Sequence, residues 1–255
     1  MPTPVELADI AADVLARIRG HAPRVHCITN SVAQAYTANM LLAAGAVPSM
    51  TISPEEIAAF VSSADALLVN LGTFDGERRT AVDAALGAAE AARRPWVLDP
   101  VFIGRSPARA AFACNLMARG PAAVRLNRSE FTPLFGDDAS DEAAVRAAKA
   151  SASVVALTGD IDFVTDGERR AAIRNGHPLM GLVTAMGCAG SALVGAALAV
   201  ESDAWLAAVA ALAALGVAGE IAGVGAAGPG SFATAIIDAL HGLDRATLRA
   251  RIKVS

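Results

Sequence analysis

The stretch Gly181-Leu-Val-Thr-Ala-Met-Gly-Cys-Ala-Gly-Ser-Ala-Leu-Val-Gly-Ala196 decides how the rest of the chain is read. It reads as an extended piece ending at Val183 or Thr184, a glycine-containing turn, and a run of small apolar residues suited only to a buried helix. Cys188 stands where that helix begins. The first N–H groups of a helix lack internal partners and carry partial positive charge, so such a turn is a ready anion site. A thiol placed there is expected to ionise more easily than a free one. The plainer alternative makes Cys188 a small hydrophobe closing the helix start, since free cysteine is among the most buried residue types.

The same strand–turn–helix unit recurs outward from this stretch. Ala66-Leu-Leu-Val-Asn-Leu71 is a continuous apolar run, the mark of a strand covered on both faces, and it ends at Gly72-Thr73. Val25–Ile28 ends at Thr29-Asn30, Pro48-Ser49 at Met50-Thr51, and Trp96–Leu98 at Asp99-Pro100. Residues 122–125 lead to Leu126-Asn127, and residues 153–157 lead to Thr158-Gly159. Helical periodicity fills the intervals. Thr3-Pro4-Val5-Glu6 and Ser53-Pro54-Glu55-Glu56 each carry a cap, a proline and a reciprocating acid, and Gly20 is expected to stop the first helix. Residues 162–173 read as a hairpin with a type I′ turn at Asp166-Gly167. The alternation predicts one α/β domain over residues 1–255. Its central sheet is mostly parallel, with helices on both faces and a late antiparallel hairpin.

Composition narrows the function. Of 255 residues 54% are hydrophobic, and alanine supplies much of that. The most apolar region, residues 205–224, contains Gly216, Gly219 and Glu220 and reads as a core helix rather than a membrane span. Three cysteines without paired spacing argue against a disulfide frame or a zinc site, and the N-terminus has no secretory pattern, so a cytoplasmic location is expected. A net charge of −4 without basic runs argues against nucleic acid as a partner.

In open α/β sheets, ligands bind beyond the carboxyl ends of the strands. Asn30, Met50, Gly72, Asp99, Asn127, Glu130, Thr158 and the 184–188 turn should gather there. Asp99 and Glu130 suit Mg²⁺, which takes one or two carboxylates together with phosphate and water. Each has a bland alternative, Asp99 as a turn residue and Glu130 as a helix-start acid. Arg125 is a charge inside an apolar strand and needs a partner, either a phosphate or an internal carboxylate. Thr158-Gly159 offers a hydroxyl and backbone amides to phosphate.

In this order the motifs resemble the hydroxyethylthiazole kinases, thiamin-salvage enzymes of the ribokinase-like fold. The anchors run from about Pro23 to Leu240: Val25-His-Cys-Ile-Thr-Asn30, Pro48-Ser-Met50, Asn70-Leu-Gly-Thr73, Leu98-Asp-Pro-Val101, Ala123-Val-Arg-Leu-Asn127 with Glu130, Thr158-Gly159, Gly187-Cys188 and Gly228-Pro-Gly-Ser-Phe232. The resemblance implies ATP- and Mg²⁺-dependent phosphorylation of the primary alcohol of 4-methyl-5-(2-hydroxyethyl)thiazole by a homotrimer. It assigns Arg125, Thr158 and Asn127 to ATP and Asp99 and Glu130 to the metal. Asn30, Met50, Ala185 and Gly187 fall to the substrate. Cys188 takes the place of the aspartate base usual in ribokinase-like enzymes, either as proton acceptor or as a small lining residue. Two departures stand out. Ala185-Met186 replace Gly and a small residue or Thr, and the loop after Gly136 is short. A Cβ at position 185 is expected to restrict positive φ and close backbone approach. That leaves open a kinase for another heterocyclic alcohol, of pyrimidine or pyridoxine type, or a non-catalytic thiazole or nucleotide binder.

Overall fold

The computed structural model describes residues 2–255. The first six strands are β1 (Arg24–Ile28), β2 (Val47–Ser49), β3 (Ala66–Asn70), β4 (Trp96–Asp99), β5 (Ala123–Asn127) and β6 (Val154–Thr158). With β7 (Asp162–Thr165) and β8 (Arg170–Ile173) they form one sheet in the order β2-β1-β3-β4-β5-β6-β7-β8. The pairings from β2 to β6 are parallel; those of β6 with β7 and β7 with β8 are antiparallel. The expected α/β architecture is the one observed.

Every residue of β3 and β6 is buried, because helices cover both faces. Side chains alternate between two cores. Val25, Cys27, Leu68 and Val97 join the core built with α1 (Pro4–His21), α8 (Met186–Leu198) and α9 (Ala204–Gly225). Ile28, Leu67, Val69 and Leu98 join the core with α3 (Ile57–Ser63), α4 (Gly76–Ala91), α5 (Pro107–Met117), α6 (Arg128–Phe135) and α7 (Asp141–Ser151). All of α8 except Gly187 is buried, and its small side chains let the helix lie close on the sheet. The helix α9 is long and apolar enough to cross a membrane, yet it packs as the core helix expected of it.

Four local expectations are corrected. Gly20 does not stop α1; Thr3 caps it as expected, but the helix runs to His21 and ends at Ala22 in a left-handed conformation. Ser53 does not cap α3. The Glu56 carboxylate accepts from the Thr51 hydroxyl instead of reciprocating with Ser53, and the helix starts at Ile57. The β7–β8 connection is not a two-residue type I′ turn. It is a four-residue loop held by Asp166, whose Oδ1 accepts from the amides of Glu168 and Arg169 at 2.9 and 2.6 Å. Residues 181–184 are not a strand, because Pro178 opens a 3-10 turn through Leu182 and His177 Nδ1 accepts from the Leu179 amide. A helix α2 (Gln34–Ala44) follows Asn30, while α10 (Pro229–Gly242) and α11 (Arg245–Arg251) close the chain. Arg245 and Arg249 tie α11 to Asp9 on α1.

Candidate active site

Parallel pairing sets the site. Asn70 on β3 stands in register with Asp99 on β4, so the two polar side chains end their strands side by side, each 1% exposed. Asn70 Nδ2 donates to Asp99 Oδ2 at 2.6 Å. The hydroxyl of Ser191, one helical turn after Cys188 on α8, donates to the same oxygen at 3.0 Å. Asn30 follows β1, next to β3. Its Nδ2 donates to Asn70 Oδ1 at 3.0 Å and to Cys188 Sγ at 3.4 Å, while its Oδ1 accepts from the Ala33 amide. Asn70 Oδ1 also accepts from the Gly72 amide. These partners fix which end of each amide is nitrogen. Gly72 is required here, since a Cβ would sit 2.6 Å from Asn30 Nδ2.

The second carboxylate is held by backbone. Asn127 caps α6, its Oδ1 accepting from the amides of Ser129 and Glu130, and Glu130 Oε2 accepts in return from the Asn127 amide at 3.0 Å. Glu130 Oε1 accepts from the Phe102 amide at 2.9 Å, an approach made with Phe102 at φ +57°. The Asn127 oxygen is therefore committed to the helix, and only its Nδ2 can face a ligand.

Arg125 lies on β5 against the start of α8. A Cβ on Gly187 would meet its Nη1 at 2.5 Å. The Arg125 Nε is buried and has no hydrogen-bond partner among the described residues. Thr158 pairs with Asn127 across β5 and β6 and gives its hydroxyl proton to the Leu126 carbonyl, while the Gly159 amide turns to Asp162 rather than toward a ligand. Met50 lies beyond edge strand β2, half-buried against the α8–α9 core and without a polar link to this network.

The turn into α8 is the exposed donor surface. Ala185 adopts φ +68°, so the positive φ persists despite the Cβ, and no side chain caps the helix. The Met186 amide returns to the Val183 carbonyl and the Ala189 amide takes that of Ala185. Among the described residues, the amides of Gly187 and Cys188 have no partner and are left for an anion.

Electrostatics correct one expectation. Burial pushes the Cys188 thiol up to about 11, and the nearby Asp99 charge adds to this. Hydrogen bonds from Asn70 and Asn30 and the charge of Arg125 oppose the rise without cancelling it, so the thiol is neutral at pH 7 rather than easily ionised. Burial also pushes Asp99 up to about 6; Arg125 opposes this and Glu130 reinforces it. Asp99 and Glu130, close enough for their charges to interact, match the carboxylate donors of a phosphate-bound Mg²⁺, which needs no all-protein cage. Among the described residues no cluster of three or more ligating side chains offers such a cage.

Asn30, Asp99 and Cys188 are thus joined in one network, and Arg125 meets Gly187. Asn70, Ser191 and the Phe102 amide belong to the site although no expectation from sequence assigns them a role in it. Two signals were present: Asn70 ends its strand as Asp99 does, and Ser191 lies three residues after Cys188.

The model of the hydroxyethylthiazole kinase family matches residues 15–246. A hydroxyethylthiazole kinase from Cronobacter sakazakii is 44% identical over 244 residues, covering 91% of this chain and 92% of that one. A probable hydroxyethylthiazole kinase from Agrobacterium fabrum is 45% identical, covering 90% and 88%. The structure of a hydroxyethylthiazole kinase protein from Pyrococcus horikoshii superposes with a TM-score of 0.93 at 36% identity, over 97% and 98% of the two chains. A ribokinase-like protein from Enterococcus faecalis, 13% identical with a TM-score of 0.66, shares the fold.

Proposed function

The chain belongs to the hydroxyethylthiazole kinase family, and we propose that it transfers the γ-phosphoryl group of ATP to the primary alcohol of 4-methyl-5-(2-hydroxyethyl)thiazole in thiamin salvage. The observation that carries this reading is the meeting of Asp99, Asn30 and Cys188 in one hydrogen-bonded network beside unpartnered helix amides.

A Mg²⁺ held by Asp99 and Glu130 would neutralise phosphate charge. Arg125 supplies positive charge on the nucleotide side. The Gly187 and Cys188 amides receive the oxygens of the transferring group. Charge stabilisation and positioning make up most of phosphoryl-transfer catalysis, so a strong resident base is not required. A neutral Cys188 fits the lining role. Its sulfur accepts from Asn30 and borders the alcohol, while Asn30 and Met50 hold the thiazole. Thr158 and the Asn127 amide nitrogen face the nucleotide. The positive φ that Ala185 keeps despite its Cβ supports an active turn rather than an idle binder. We place the enzyme in the cytoplasm as a homotrimer; the exposed Val47 on edge strand β2 and the exposed Val32 and Leu42 before and on α2 offer apolar surface for that contact.

Purified protein should release ADP with saturating ATP and Mg²⁺ only when the thiazole alcohol is added. ADP release on pyridoxine-type or pyrimidine alcohols, with none on the thiazole, would move the substrate assignment. Cys188→Ser should bind both substrates normally. Cys188→Asp should turn over at least as well as the parent, and complete loss would show that position 188 is not equivalent to a base. Sedimentation should give three copies per particle.

A further inference from the structure

We propose that Asn70 is a positioning residue that fixes both halves of the reaction at once: the Asp99 carboxylate through its Nδ2, and Cys188 through its Oδ1 and Asn30. The inference rests on the kinase reading. Asn70 is buried and all its polar capacity points into the site: Nδ2 to Asp99 at 2.6 Å, Oδ1 to Asn30 Nδ2 and the Gly72 amide, both at 3.0 Å. Among the described residues, no other side chain hydrogen-bonds to both Asp99 and Asn30. Among the side chains of the site, Ser191 bonds only Asp99, its hydroxyl also reaching the Gly187 carbonyl, and Asn30 bonds only Asn70 and Cys188. An amide suits this post because it donates from one end and accepts at the other. The Asn70 donor settles which face of Asp99 stays available to metal and phosphate. Its acceptor holds one Asn30 hydrogen so that the other faces Cys188, where the alcohol binds.

The geometry predicts a pattern across three variants. Two affinities are measured on each: Mn²⁺ in the presence of ADP, by paramagnetic titration, and the thiazole alcohol, by calorimetry. Ser191→Ala should weaken Mn²⁺ and leave the alcohol within about twofold, and Asn30→Ala should do the reverse. Asn70→Ala should weaken both, each by about tenfold, the size of a lost buried hydrogen bond to a charged or fixed partner. Thermal unfolding confirms that each variant is folded. Asn70→Ser carries the same expectation if the alanine variant does not fold. Asn70 variants that lower the melting temperature with both affinities unchanged, or with only one changed, overturn the proposal. A parent protein that binds both ligands and never phosphorylates the alcohol overturns the kinase reading instead.

Discussion

Two helices open onto the site, and their first turns are built in opposite ways. The helix α6 is closed on itself: Asn127 caps it, Glu130 returns the favour, and Phe102 secures the remaining carboxylate oxygen. The helix α8 is left open: an alanine at φ +68° precedes it, no side chain caps it, and the Gly187 and Cys188 amides have no partner among the described residues. On the proposed function, the closed start holds a carboxylate for a metal, and the open start leaves positive potential for a phosphoryl group. A cap and an anion site use the same backbone donors, so one helix start cannot serve fully as both.

The sharpest way to break the contrast is to fill the open turn. Gly187→Ala puts a Cβ against Arg125, and kcat/KM should fall by about 100-fold or more, since a misplacement of about 1 Å costs that much. Turnover near the parent's would mean that Arg125 is free to move aside and the open start is not a fixed receptor.

The Asp99 carboxyl between the two helix starts offers the next test. Its value of about 6 in the fold lies above that of an unfolded chain. The native state therefore holds the proton in a window where the unfolded chain has lost it. The sign follows: its contribution is fully present below about pH 4 and is lost as the pH rises through about 6, a change of about 3 kcal/mol. Denaturant unfolding between pH 4 and 7 should show Asp99→Asn gaining stability relative to the parent as the pH rises. Parallel pH curves would show that burial does not strain this carboxylate.

Opening the closed start should cost less. Asn127→Ala removes the α6 cap and should lower stability by about 1 kcal/mol in chemical denaturation, with a rise in the Mg²⁺ requirement as Glu130 loosens. The smallest effect is expected at the open start itself. Ala185→Gly removes a left-handed alanine and should add from a few tenths to about 1 kcal/mol of stability, read from the melting temperature. A loss of stability would mean that the turn is not strained. The thiol gives a companion check: iodoacetamide at pH 7.5 should label the exposed Cys114 well before the buried Cys188, whose thiol sits near 11.

Much of this molecule was legible from local patterns. The apolar runs at 66–71 and 153–157 announce strands buried on both faces, and Thr3-Pro4-Val5-Glu6 announces its own helix start, because these signals depend on residues adjacent in the chain. Asp99 and Glu130 were legible as candidate ligands by type and by place at a strand end or helix start. The misreadings arose where a distant or competing partner decided the outcome. Glu56 turned to Thr51 rather than to Ser53, and Asp166 gathered two amides into a longer loop. Residues 181–184 look extended but follow a proline-started turn capped by His177.

The sequence by itself determined the alternation of strands and helices, the strand-end placement of the polar residues, and the small-residue helix after Cys188. Only the tertiary structure decided that Asn70 stands in register with Asp99, that Ser191 and Asn30 converge on the same pair, and that Cys188 is neutral. Register and burial depend on chain segments far apart in sequence. A helix start alone favours a thiolate, but desolvation and a neighbouring carboxylate, both products of packing, reverse that preference.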